Sequence, residues 1–216
     1  MKTIPTKTIQ APKLPLSYET AEDFDSLITQ DPYIQGYHFH DILISMCKEP
    51  RIHFDGCLFQ NVDFEECEFE NIDLLDCRFE NCDLSNCKFL DGALHRLVFQ
   101  NCRMMGCDFG GSVLKNITFA HVNARYANYS TAKLSHIHFD EVQLAVSSFN
   151  QCVFAHTTFT NCDLKEAEFI NTPLKDIDLS SSNIEGITIN VENLKGVSVS
   201  EAQALTLSRL MGLIIK

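Results

Sequence analysis

Residues 54–89 read FDGCLFQNVDFEECEFENIDLLDCRFENCDLSNCKF, and every fifth residue of that stretch, from Phe54 and Phe59 through Leu74 to Phe89, is large and apolar. The phase continues on the C-terminal side through Leu94, Phe99, Met104 and Phe109 to Leu194 and Val199, with Ala124 its one small member. A second phase, two residues earlier, holds all ten cysteines: Cys47, Cys57, Cys67, Cys77, Cys82, Cys87, Cys102, Cys107, Cys152 and Cys162. A fixed short period over most of a chain is the signature of a solenoid. The cysteines therefore read first as small side chains for an interior corner.

A longer period sets the coil. Taken every twentieth residue, Phe59, Phe79, Phe99, Phe119, Phe139 and Phe159 form one column, and Phe69, Phe89, Phe109, Tyr129, Phe149 and Phe169 another. The columns between them are mostly aliphatic, as in Leu74, Leu94, Leu114 and Leu134. Aromatic rings stack on aromatic rings only if four pentads close one turn with four faces, so about 20 residues make a coil. Roughly 7.5 coils at ~4.8 Å each predict a rod about 36 Å long. The expected fold is an all-β solenoid over residues 34–199, flanked by an arm and capping helix (1–33) and a C-terminal helix and tail (200–216).

The repeated pattern of a small residue, any residue, then Leu or Phe resembles the pentapeptide-repeat proteins over about residues 34–199. The resemblance implies a right-handed quadrilateral β-helix. At its N-terminal end, residues 1–16 read as a loosely draped arm. Thr20 is a candidate N-cap, with Asp23 three residues on, for a helix whose face carries Phe24, Leu27 and Ile28 and which Asp31-Pro32 stops. Tyr33–Arg51 reads as an imperfect first coil, because Glu49 breaks the phase and Pro50 follows. At the other end, Ser200-Glu201-Ala202-Gln203 has the form of a capping box. The apolar run that follows predicts an exposed patch and hence a two-fold dimer, the alternative being a tail that folds back over the last coil.

Composition narrows the function classes. Net charge is −12, against a direct nucleic-acid binder. No run of 18 apolar residues predicts a transmembrane helix. Ten cysteines and an N-terminus, Met1-Lys2-Thr3-Ile4-Pro5, without an apolar signal core point to a reducing cytoplasm. Stacked cysteines lie close enough for bridges or a metal ladder, but buried filler is the expected role. His136, His156 and Asp176 share a column near His138 and offer imidazole and carboxylate to a divalent ion; a solvated polar column is the expected reading, with no metal or cofactor. Gly106, Gly110 and Gly111 lack the Lys-Ser/Thr of a phosphate loop and read as corner residues. With no G-x-S-x-G or H-E-x-x-H and no register break for loops that would wall a groove, no enzyme is expected.

Charge is unevenly spread. Residues 52–91 carry eleven acidic against two basic side chains, and residues 92–131 one acidic against four basic. A negative field of this kind selects a basic partner. The unbroken coil, the acidic surface and the tail Gln203…Leu207…Leu210-Met211-Gly212-Leu213-Ile214-Ile215 together resemble the Qnr and mycobacterial MfpA quinolone-resistance proteins, most of all the loop-free chromosomal members from Gram-positive bacteria. That resemblance implies a dimer that mimics a DNA segment, binds the type II topoisomerases DNA gyrase and topoisomerase IV, and protects them from quinolones. It places Asp63, Glu65, Glu66, Glu68, Glu70, Asp73, Asp76 and Asp83 among the partner contacts, and Leu205, Leu210, Met211, Leu213 and Ile214 in the dimer interface. The alternative is a generic scaffold for another basic protein.

Overall fold

The structure is a computed structural model that describes residues 8–20 and 24–213, without the side chain of Met211. It is a β-solenoid of about 8 coils. Strands meet in parallel at a register of one coil, so Leu114 faces Leu134 and Phe119 faces Phe139. We number the four faces by the central residues of one coil: Leu94, Phe99, Met104 and Phe109. The first two faces share continuous strands, Ala93–Gln100, Val113–Ala120, Lys133–Asp140 and Val153–Thr160. In the middle coils the third and fourth faces are held by single parallel bridges, such as Asp83 with Arg103 and Lys88 with Asp108.

Each pentad turns its corner at the residue before the small one, and from Gly36 to Asp176 this residue lies in the left-handed region. Asn61, Asn71, Asn81, Asn86 and Asn101 have φ between 54° and 62°, and Gly106 and Gly111 have φ of 67° and 71°. Asn and Asp tolerate that conformation because their short polar side chains bond locally, and glycine because it has no Cβ. Gly110, one residue before the corner, is not in that region. Beyond Met104 the corner is a hydrogen-bonded turn, with the Cys107 N–H on the Met104 carbonyl at 3.2 Å and Gly106 at its positive-φ position. Corner amides find acceptors in the next coil: Asn81 N–H reaches the Gln100 carbonyl at 3.0 Å. The left-handed conformation is thus held at most corners by the coil-to-coil ladder.

The core is the pair of aromatic columns. Phe59 and Phe79 stack with centroids 4.5 Å apart, and Phe99 and Phe119, Phe119 and Phe139, and Phe109 and Tyr129 stack at 5.0–5.1 Å. That spacing is the inter-strand distance, so the rings repeat with the backbone. Rings of neighbouring columns meet edge-on, as Tyr129 does with Phe139 at 83°. Ala124 and Tyr129 belong to the same coil and are both buried; the small member of one column accompanies the largest member of the other.

The ends are closed differently. Helix α1 (Phe24–Gln30) lays Phe24 against Phe39 and Phe54 at 5.5 and 6.3 Å, and buries Ile28 beside them. Its proposed cap partner Asp23 lies outside the described residues. The first coil is in register on three faces, pairing Ile34 with Phe54, Phe39 with Phe59 and Ile44 with Phe64. Its fourth face is where Glu49 and Pro50 are exposed and form no strand. Helix α2 (Glu201–Ser208) starts with the expected capping box between Ser200 and Gln203. The Gln203 amide also donates to the Leu179 and Ser182 carbonyls at 2.8 and 2.7 Å, so it satisfies acceptors that the last coil would leave bare. No described helix is long and apolar enough to cross a membrane.

Candidate functional site

Within a pentad the central and small residues point inward, which leaves three positions for chemistry: the two that flank the centre and the left-handed corner. The acidic residues of the N-terminal coils occupy all three. Asp63 and Asp83 stack on the third face, Glu65 closes that face, and Glu66 stands at the next corner with φ 52°. Glu68 and Glu70 flank Phe69 on the fourth face, and Asp73 opens the first. The eight carboxylates therefore wrap around the rod instead of lining one side of it.

Their surroundings divide them. Glu68 lies between Lys88 and Lys48 at 3.3 and 3.4 Å, and these two ammonium groups hold its carboxyl below the ordinary value. Asp73 accepts from His53 Nδ1 at 2.9 Å, and Asp83 faces Arg103 at 3.6 Å. Asp63, Glu65, Glu66 and Glu70 have no ion-pair partner among the described residues, and all four are exposed. The uncompensated field is thus centred on the third-to-fourth corner of one coil.

Asp76 departs from the expectation of an open acidic contact. It is 4% exposed, and both its oxygens accept from the Arg96 guanidinium in a fork. Oδ1 also accepts the Lys13 main-chain N–H at 2.8 Å. Burial disfavours its charge, but the Arg96 and Lys13 donors outweigh burial and hold the carboxyl below 3.8. A carboxylate engaged in this way does not face a partner. Corner positions normally point outward, and the sequence contains no mark that a strand of the N-terminal arm covers this one.

The thiols are interior. All ten are free and buried. Cys107 Sγ donates to the Leu84 carbonyl at 2.9 Å and Cys152 Sγ to the Tyr129 carbonyl at 2.9 Å, each reaching one coil back. Burial pushes Cys162 up to about 11 and Cys152 up to about 12, so neither supplies a thiolate near neutral pH. His136 and His156 lie 4.7 Å apart with planes tilted by 43°. His136 Nδ1 shares a hydrogen bond with Ser135 Oγ. Among the described residues, no three His, Cys, Asp or Glu side chains converge on one point.

At the C-terminal end only Leu207 of α2 is buried. Leu205, Leu210 and Leu213 are 58%, 44% and 56% exposed. Three large apolar side chains in nine residues face water at one end of the rod, as the sequence predicts. Of the remaining dimer candidates, Ile214 and the Met211 side chain lie outside the described residues.

Two family models of the same repeat match the chain, the pentapeptide repeat region over residues 72–149 and the pentapeptide repeats, in 8 copies, over 147–186. Together they span more than half of the chain. The SV2A/B/C luminal domain model matches residues 26–109. No curated protein matches the chain. Among solved structures, the full-length plasmid-mediated fluoroquinolone resistance protein QnrB1 is 20% identical, over 82% of this chain and 100% of its own, with a TM-score of 0.48. HetL, a pentapeptide repeat protein involved in heterocyst differentiation regulation in the cyanobacterium Nostoc sp. strain PCC 7120, is 14% identical over 77% of this chain and 86% of its own, with a TM-score of 0.37.

Proposed function

We propose, from the premise that this chain belongs to the pentapeptide-repeat family, that it is a non-catalytic binding protein whose dimer presents a DNA-like negative rod to DNA gyrase or topoisomerase IV and protects the enzyme from quinolones. The observation that carries this reading is the open acidic cluster Asp63, Glu65, Glu66 and Glu70, exposed without ion-pair partners on a rigid coil. Topoisomerase surfaces that grip DNA are basic, and carboxylates fixed on one coil offer them charge without the entropy cost of ordering a chain. The exposed Leu205, Leu210 and Leu213 supply the second element, an apolar end that joins two rods. Catalysis has no part in this function; differential binding is sufficient. Quinolone resistance is what QnrB1 is named for.

A scaffold for a different basic protein is the second reading. It is favoured by the middle coils: residues 92–131 carry four basic side chains against Asp108, and although Arg96 and Arg103 pair with Asp76 and Asp83 one coil back, Lys115 and Arg125 interrupt the negative surface that duplex DNA keeps throughout. Gyrase supercoiling at an inhibitory fluoroquinolone dose, titrated with this protein, separates the two. Restored supercoiling at low micromolar protein supports topoisomerase protection. Absence of both rescue and drug-free inhibition leaves the scaffold.

A further inference from the structure

The N-terminal arm runs down the corner between the first and second faces. That corner is a column of left-handed residues, Gly36, Gly56, Asp76, Arg96 and Asn116, each one coil from the last. The Lys13 N–H donates to Asp76 Oδ1 at 2.8 Å, and the Gln10 N–H to Asn116 Oδ1 at 3.3 Å. Pro15 covers the two glycines, with its Cδ 3.4 Å from the position of a Cβ on Gly56 and its Cγ 4.0 Å from one on Gly36. Further along the column a side chain stands at this position; at the glycines a Cβ would meet the proline ring at ordinary contact distance, so the ring packs directly on the corner backbone and only a larger side chain would displace it. Upstream of α1, Glu19 locks the arm to the first coil by donating to the Gly36 carbonyl at 2.9 Å and accepting from His38 at 2.8 Å.

The spacing of these contacts has a physical origin. Asp76 and Asn116 are two coils apart, about 9.6 Å at ~4.8 Å per strand. Lys13 and Gln10 are three residues apart, about 9.3 Å along a polyproline II helix at ~3.1 Å per residue. The two repeats are commensurate, so a polyproline-type segment presents an amide to every second coil of this corner without stretching. Pro12-Lys13-Leu14-Pro15 has the composition for that conformation: each proline fixes its own φ near −65° and biases Ala11 and Leu14 towards extended backbone. The acceptor is prepared as well, since Asp76 is buried and oriented by the Arg96 fork.

We propose that this corner is a recognition track for extended, proline-containing peptide segments, and that Gln10–Leu16 is its resident ligand, an intramolecular strap that a partner segment of the same chemistry displaces. The partner it fits carries prolines three residues apart, with one free main-chain amide just after the first of them and another two residues before it. Held in cis at an effective concentration on the order of millimolar, the strap masks the track from weaker competitors. This inference does not depend on the topoisomerase reading.

The test is made on the full-length protein with changes confined to the arm. Gln10→Pro with Lys13→Pro removes the two donated N–H groups, keeps the polyproline conformation and touches no coil residue; an unchanged circular dichroism spectrum and a single cooperative melt verify the rod, the midpoint falling as the strap is released. The probe is a fluorescein-labelled peptide of residues 8–17, read by anisotropy. The double variant is expected to bind it at least tenfold more tightly than the wild-type protein does. The same peptide carrying the two prolines is expected not to bind the variant. Equal binding by wild type and variant, equal binding of the two peptides, or no binding of either overturns the proposal.

Discussion

Replacing Tyr129 with phenylalanine removes a single oxygen from the middle of an aromatic column. Tyr129 is fully buried, stacked between Phe109 and Phe149 at 5.0 and 4.8 Å, and its hydroxyl has no hydrogen-bond partner. An unsatisfied buried hydroxyl costs about 1–3 kcal/mol of desolvation. The space left by the oxygen, roughly 10 Å³, returns only about 0.2 kcal/mol at ~24 cal/mol per Å³ of cavity. The ring stack is unchanged, because all its other members except Tyr129 are phenylalanine from Phe69 to Phe169. Tyr129→Phe is therefore expected to stabilise the protein by about 1–2 kcal/mol, which for a chain of this size raises Tm by about 2–8 °C. Guanidinium unfolding followed by circular dichroism reads it as a higher midpoint at unchanged slope. Equal or lower stability of the phenylalanine variant would refute the reasoning.

Four further outcomes follow from the structure. Val146 has φ 60°, a conformation that a β-branched side chain resists, so Val146→Asn should stabilise by about 1 kcal/mol in the same assay. Asp76 has a carboxyl pKa held below its unfolded value; its contribution is fully present above about pH 4 and is lost as pH falls through the folded pKa. Acid titration of stability should accordingly show a steeper loss for the wild type than for Asp76→Asn, which lacks that proton-linked contribution. Charge reversal at Glu65, Glu66, Glu68 and Glu70 should abolish topoisomerase binding in a pull-down while circular dichroism stays unchanged, because all four side chains lie outside the core. Size measurement by light scattering should give twice 24.5 kDa, and Leu205→Glu with Leu210→Glu should return the chain mass, since both leucines are exposed at the rod end.

The solenoid was legible because its cause is one-dimensional. A core residue every five positions and a matched ring every twenty leave a single way to stack the chain, so Phe59 on Phe79 and Phe109 on Tyr129 follow from counting alone. The capping box at Ser200 and Gln203 and the exposed leucines at the C-terminus are equally local. The left-handed corner was also within reach, since Asn, Asp and Gly recur one residue before the small position in Asn61, Asn81, Asp91 and Gly106. The candidate site was legible only as a charge count.

What only the tertiary structure decided is what lies against the outside of the coil. The sequence orders outward side chains along the chain, but neighbours on the surface are twenty residues apart, on the same face of successive coils. It is the coiling that distributes eight carboxylates around the rod, places Glu68 between Lys48 and Lys88, and leaves Asp63, Glu65, Glu66 and Glu70 open. The arm is the clearest instance. Prolines at 12 and 15 and glycines at 36 and 56 have no relation in sequence, and repeat counting begins after the arm ends. Pro15 meets the glycines because a polyproline segment and a stack of β-coils share a common length, and the same course of the arm brings the Lys13 N–H onto Asp76.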